Sequence, residues 1–181
     1  GETLDDAVGE AYDKVARVVG LPYPGGPHVD RLAHLGNDTY HLPRVYLDDN
    51  SYNFSFSGLK SAVINLAHNA SQRGEEINVN DLCCSFQASV TEVLVRKTLK
   101  LAKERGINNI IVAGGVSANK GLKERFMEEG KGYNISIPSI RLCTDNAAMI
   151  AVAGYYQYQK NHKLDDLYLN ASASLELLTR E

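Results

Sequence analysis

A chain of 181 residues, 44% hydrophobic and 23% charged, suits one large domain or two small ones around a core of ordinary size. Its net charge of −3 excludes an overall basic field of the kind that draws in nucleic acid, so an RNA partner would need a local patch or another protein's surface. No apolar run reaches membrane-spanning length and the opening residues do not read as a signal peptide; three cysteines without a C-x-x-C build no disulfide framework and fit a reducing cytoplasm.

In chain order, apolar residues at Leu4, Val8, Ala11, Val15 and Val18 or Val19 predict a helix over 4–19, ended by Gly20. LPYPGGP follows as a rigid turn, and Pro27 can open a short helix that Gly36 stops. Residues 41–53 read as extended and hairpin-like. A helix is expected from about Ser57, with Ser57 as its N-cap and Phe54 and Phe56 as anchors. After the polar loop SQRGEEINVN, Asn80 or Asp81 would cap a long helix to Arg105. Then come a strand in NNIIVAGG, a helix over 118–129, a strand in YNISI, and a last helix through Tyr158 capped by Thr144 or Asp145. The tail from Leu164 is mixed. The alternation in the second half implies parallel crossovers and an α/β fold. Residues 1–105 read as a helix-rich insertion region and 106–181 as an α/β nucleotide-binding core. Ligands of such sheets bind beyond the carboxyl ends of strands, which puts the Gly114-Gly115 loop and the Cys143-Thr144-Asp145 loop on one expected edge.

Five stretches could carry chemistry, one of them NFSFSGLK, where Ser55, Ser57 and Lys60 around a glycine could touch a phosphate or an RNA backbone, the plainer reading being the helix start capped by Ser57. IVAGGVSANK is neither a Walker A loop nor G-x-G-x-x-G. Its diglycine lets a ligand approach the backbone, the N–H groups of the following turn can hold an anion, and Asn119 offers a donor and an acceptor. The plainer reading is a tight strand-to-helix turn capped by Ser117. In CTDNAAMIA, Asp145 is a helix cap or, with partners, a metal ligand; no two of the five histidines stand at i, i+4, so other ligands would come from outside this sequence. In the first helix Asp6, Glu10 and Asp13 share one face, either solvated beside Lys14 and Arg17 or turned to ribose hydroxyls near the Pro-Gly-Gly-Pro turn. Arg96, Lys97, Lys100, Lys103 and Arg105 suit the end of the long helix, as a solvated face or as a tRNA patch.

Together and in order, GETLDDAVGEAYDKVARVVGLPYPGGP, NFSFSGLKSAV, IVAGGVSAN and CTDNAAMIAVAG resemble the TsaD family, with the likeness running from Gly1 to about Tyr156. The resemblance implies an actin-like ATPase fold, of the Hsp70 and sugar-kinase type, of which this chain looks like the C-terminal lobe with a helical insertion. It implies the last step of N6-threonylcarbamoyladenosine synthesis on tRNA, with threonylcarbamoyl-adenylate as donor. By motif, Asp13, Gly26 and Asp30 would line the adenylate's nucleoside, Gly114, Gly115 and Asn119 would hold nucleoside and phosphate, and Asp145 would ligate one divalent metal, iron or zinc. ATP, ADP or AMP are the related ligands. Implied partners are tRNA, a paralogous TsaB-like subunit and a TsaE-like ATPase, with a homodimer also compatible. The family's His-x-x-x-His metal pair and first phosphate loop do not occur in this sequence, so the chain alone is expected to be inactive. The rival readings are an ATP-dependent phosphotransferase or ATPase of the same superfold, and a non-catalytic docking lobe that uses the small residues Ala7, Gly9 and Ala11.

Overall fold

The computed structural model describes residues 1–47 and 51–171; part of the expected extended stretch, 48–50, and the end of the tail, 172–181, lie outside the described residues. The helices are α1 (Val8–Val18), α2 (Gly25–Ala33), α3 (Ser57–Arg73), α4 (Val79–Glu104), α5 (Lys120–Glu129) and α6 (Ala147–Asn161). The strands are β1 (Asn109–Ile111) and β2 (Asn134–Ser136), which pair in parallel with Ile110 opposite Ile135 and α5 as the connection between them. Single 3₁₀ turns occupy Gly115–Ala118 and Ile140–Leu142. The architecture is α/β, mostly helical with a small parallel sheet.

Residues 1–144 and 145–181 form two compact units. In the first, α1 turns Ala11, Tyr12, Val15 and Ala16 inward, at the spacing of one helical face. They join Val29 and Ala33 of α2, Leu59 and Val63 of α3, and Leu82, Cys83, Phe86 and Val90 of α4. A second cluster holds Val95 and Ala102 of α4, Ile110 of β1, and Leu122 and Phe126 of α5. α4, with 26 residues, is the spine common to both. The second unit contains α6, none of whose residues is buried. No helix among the described residues is long and apolar enough to cross a membrane.

Several boundaries differ from the sequence expectation. α1 begins at Val8 because the preceding backbone is engaged elsewhere: Leu4 N–H donates to the Phe54 carbonyl at 2.8 Å, and Phe54 N–H donates to that of Glu2 at 2.8 Å. Among the described residues of 41–53 there is no strand; His41 and Leu47 take left-handed φ of 47° and 54°, which interrupts any regular ladder. α2 starts two residues before Pro27. The caps are asparagines: Asn78 accepts from the amides of Asn80 and Asp81, Asn119 from Leu122, and Asn146 from Met149. Ser57 is the first residue of α3, and its amide and hydroxyl both donate to the Asp5 carboxylate.

Candidate functional site

Asp13 lies half-buried on α1, and its Oδ1 accepts from the amide of Gly25, the first residue of α2, at 2.7 Å. The Asp13 carboxylate thus satisfies a helix-start donor that has no partner within its own helix. The approach is close: a Cβ on Gly25 would lie 2.3 Å from the Ala16 Cβ and 3.0 Å from the Asp13 Cα. The next residue, Gly26, has nothing within 4 Å of where a Cβ would stand. Five residues into α2, the Asp30 side chain accepts from the amides of Lys120 at 2.9 Å and Gly121 at 3.2 Å, the first two residues of α5. Each carboxylate therefore secures the start of another helix.

The diglycine stands between β1 and α5. Gly114 has φ 88° and ψ 173°, a region open essentially to glycine alone. Its carbonyl accepts from the Ser117 hydroxyl at 2.6 Å and amide at 3.0 Å, which closes the 3₁₀ turn. Gly114 and Gly115 are exposed, with open space beside both. α1 lies behind the turn: a Cβ on Gly9 would meet Val116 at 3.6 Å, and Ala11 is fully buried. Two of the small residues that the docking reading assigned to a partner helix are thus used inside the chain.

Asn119 closes the group. Its Oδ1 caps α5 on Leu122 N–H at 2.7 Å, and its Nδ2 donates to Gln87 Oε1 at 2.8 Å and lies 3.5 Å from the Tyr12 hydroxyl. Tyr12 also donates to Gln87 Oε1 at 3.3 Å and sets its ring edge against Phe86 at 5.0 Å. Burial pushes the Tyr12 phenol well above its usual range and the charge of Asp30 adds to that, against the opposing hydrogen bond from Asn119. The phenol is therefore a neutral donor and no base. Sequence reasoning named neither Tyr12 nor Gln87; the available signal was a glutamine among Cys83, Phe86 and Val90 on the apolar face of α4. It also missed His34, whose Nδ1 meets the Asp30 carbonyl at 2.7 Å and whose Nε2 meets Glu124 at 3.1 Å.

Asp13, Gly26, Asp30, Gly114, Gly115 and Asn119 thus fall on elements of the first unit that are tied together directly or through one neighbour. The arrangement offers two partly used carboxylates and exposed glycine backbone, which suits hydroxyl and anionic oxygens. Asp145 is an exposed residue at the start of the second unit, directly before the α6 cap. Among the described residues no three His, Cys, Asp or Glu side chains gather as a metal site. A single carboxylate does not make a donor set, so these residues alone do not fit a divalent metal.

A sequence model of a family described as TsaD, tRNA N6-adenosine threonylcarbamoyltransferase, matches residues 1–152. A protein of that name from Geobacillus kaustophilus is 59% identical over 181 residues, covering 98% of this chain and 53% of its own length. Its namesake from Bacillus subtilis is 60% identical over 163 residues, covering 88% of this chain and 47% of its own length. A Streptococcus equi relative of the same name is 57% identical, covering 97% and 52% respectively. The chain spans about half the length of these curated relatives.

Proposed function

The chain belongs to the TsaD family, and from that premise we propose that it is the adenylate-holding part of a tRNA N6-adenosine threonylcarbamoyltransferase, in an actin-like ATPase lobe. The observation that carries the reading is the meeting of α1, the α2 start, the diglycine turn and Asn119 within one unit. In the proposed reaction the exocyclic N6 of the adenosine 3′ of the anticodon attacks the carbamoyl carbon of threonylcarbamoyl-adenylate. An N–C bond forms, the bond from that carbon to the phosphate oxygen breaks, N6 gives up a proton, and AMP leaves. The part of this chain is binding and orientation. Asp13 spends Oδ1 on Gly25, and a carboxylate has further lone pairs to accept from ribose hydroxyls. Gly26 gives the nucleoside access to α2, and the diglycine turn faces the phosphate. Asp30 fixes the α5 start and so the place of Asn119.

By family likeness Asp145 would serve as one donor to a divalent metal, in company with ligands that this sequence does not supply. The same likeness supplies the partners: tRNA, a TsaB-like subunit and a TsaE-like ATPase. Gly26→Val tests the reading, since it fills open space without touching a packed neighbour. AMP titrated into the chain is expected to bind, with affinity lowered about tenfold or more by Gly26→Val, or ~1.4 kcal/mol, and unchanged far-UV circular dichroism. In a protein of the relatives' length carrying this sequence, the same change should slow threonylcarbamoyl transfer to unmodified tRNA. Equal affinity and equal transfer rates would remove Gly26 and the α2 start from the site.

A further inference from the structure

We propose that Gln87 is a positioning residue that sets the side-chain amide of Asn119 for recognition of the adenylate's nucleoside, an inference that rests on the nucleotide reading above. The orientation of Asn119 is determined from both sides. Its Oδ1 faces the donor Leu122 N–H at 2.7 Å, and its Nδ2 faces the acceptor Gln87 Oε1 at 2.8 Å. Turning the amide over would put oxygen against oxygen and N–H against N–H, leaving two half-buried groups without partners.

Gln87 is itself held. It is 6% exposed on α4, and its Oε1 takes a second hydrogen bond from Tyr12 at 3.3 Å. Gly121 makes room for the rest of its amide: a Cβ there would stand 2.3 Å from Gln87 Nε2. The glutamine is therefore fixed by α1 and α5 before any ligand arrives, and it passes that order to Asn119. With one Nδ2 hydrogen on Gln87 and the other toward the Tyr12 hydroxyl at 3.5 Å, what remains of the Asn119 amide is one lone pair on Oδ1, which has one direction to offer a ligand. Such a second layer matters because a group free to rotate must be ordered on binding.

The test is a double-mutant cycle with AMP as the probe on the full chain. Gln87→Met keeps the length and removes the acceptor; Gln87→Glu keeps an acceptor oxygen. Gln87→Met is expected to weaken AMP binding about tenfold when Asn119 is present and less than about twofold in the Asn119→Ala background, with Gln87→Glu restoring most of the loss. Equal losses in both backgrounds would mark a merely structural glutamine and overturn the proposal while leaving the nucleotide site intact. No effect of Asn119→Ala on AMP would sink the nucleotide reading at Asn119, and the inference with it. Should Gln87→Met fail to fold, the wild-type chain decides. Nuclear Overhauser contacts between the Asn119 Nδ2 protons and the Gln87 side chain, with slowed exchange of those protons, are expected, and their absence overturns the proposal.

Discussion

Two adjacent glycines show how much the surroundings decide. At Gly25 a methyl group would sit 2.3 Å from the Ala16 Cβ and 3.0 Å from backbone at Asp13, so α1 and α2 would have to move apart. At Gly26 the same methyl group meets nothing. Alanine favours helix over glycine by about 0.5–1 kcal/mol, whereas overpacking a close contact costs ~1–3 kcal/mol. Gly25→Ala is therefore expected to lower the urea midpoint and Gly26→Ala to leave it equal or raise it. Equal shifts at the two positions would contradict the packing described. Gly114 is a third kind: its φ of 88° with ψ of 173°, not crowding, is what keeps other residues out.

Between elements, the α2–α5 junction has a group that responds to pH. Both ring nitrogens of His34 face acceptors, the Asp30 carbonyl and the Glu124 carboxylate, so both must donate and the ring is satisfied only as imidazolium. The Asp30 carbonyl bond, opposed by desolvation and aided by Glu124, raises the His34 pKa above its ordinary value. Because the folded value is the higher one, this stabilisation is complete below the unfolded pKa of about 6.5 and is lost as pH rises through the raised folded value. Denaturation midpoints are expected to fall across that window in the parent chain and to fall less in His34→Ala. The charges around it are Asp30, Glu124 and Lys120, with Cys84, Arg125 and Glu128 on the same cavity wall. Much of this level was legible in advance. Periodicity in 82–101 and the apolar runs before Gly114 and after Tyr133 gave α4, β1 and β2 their places, because those signals are local. The caps were misplaced by one to three residues, since Asn, Asp, Ser and Thr are near equals at a helix start and geometry chooses among them. The ties from Asp5 to α3, Asp13 to α2 and Asp30 to α5 span 12 to 91 residues, and no sequence window contains them. The same holds for Gln87 and Asn119: the asparagine stood in a motif, and its partner 32 residues upstream stood in none.

For the whole molecule, both apolar clusters are built from residues that precede Thr144. A chain ending at Thr144 is therefore expected to fold, with a thermal midpoint within a few degrees of the parent, since ~1 kcal/mol corresponds to roughly 2–8 °C in domains of this size. Loss of cooperative unfolding on that truncation would show that residues 145–181 complete the core. The helix-start carboxylates have a last consequence. α1 locates α2 through Asp13, and α2 locates α5 through Asp30. These are hinges in series, not spokes of a wheel. A tilt introduced at α1 is inherited twice, whereas one introduced at α2 is inherited once. The alignment of the distant asparagine is thus inscribed in the first quarter of the polypeptide.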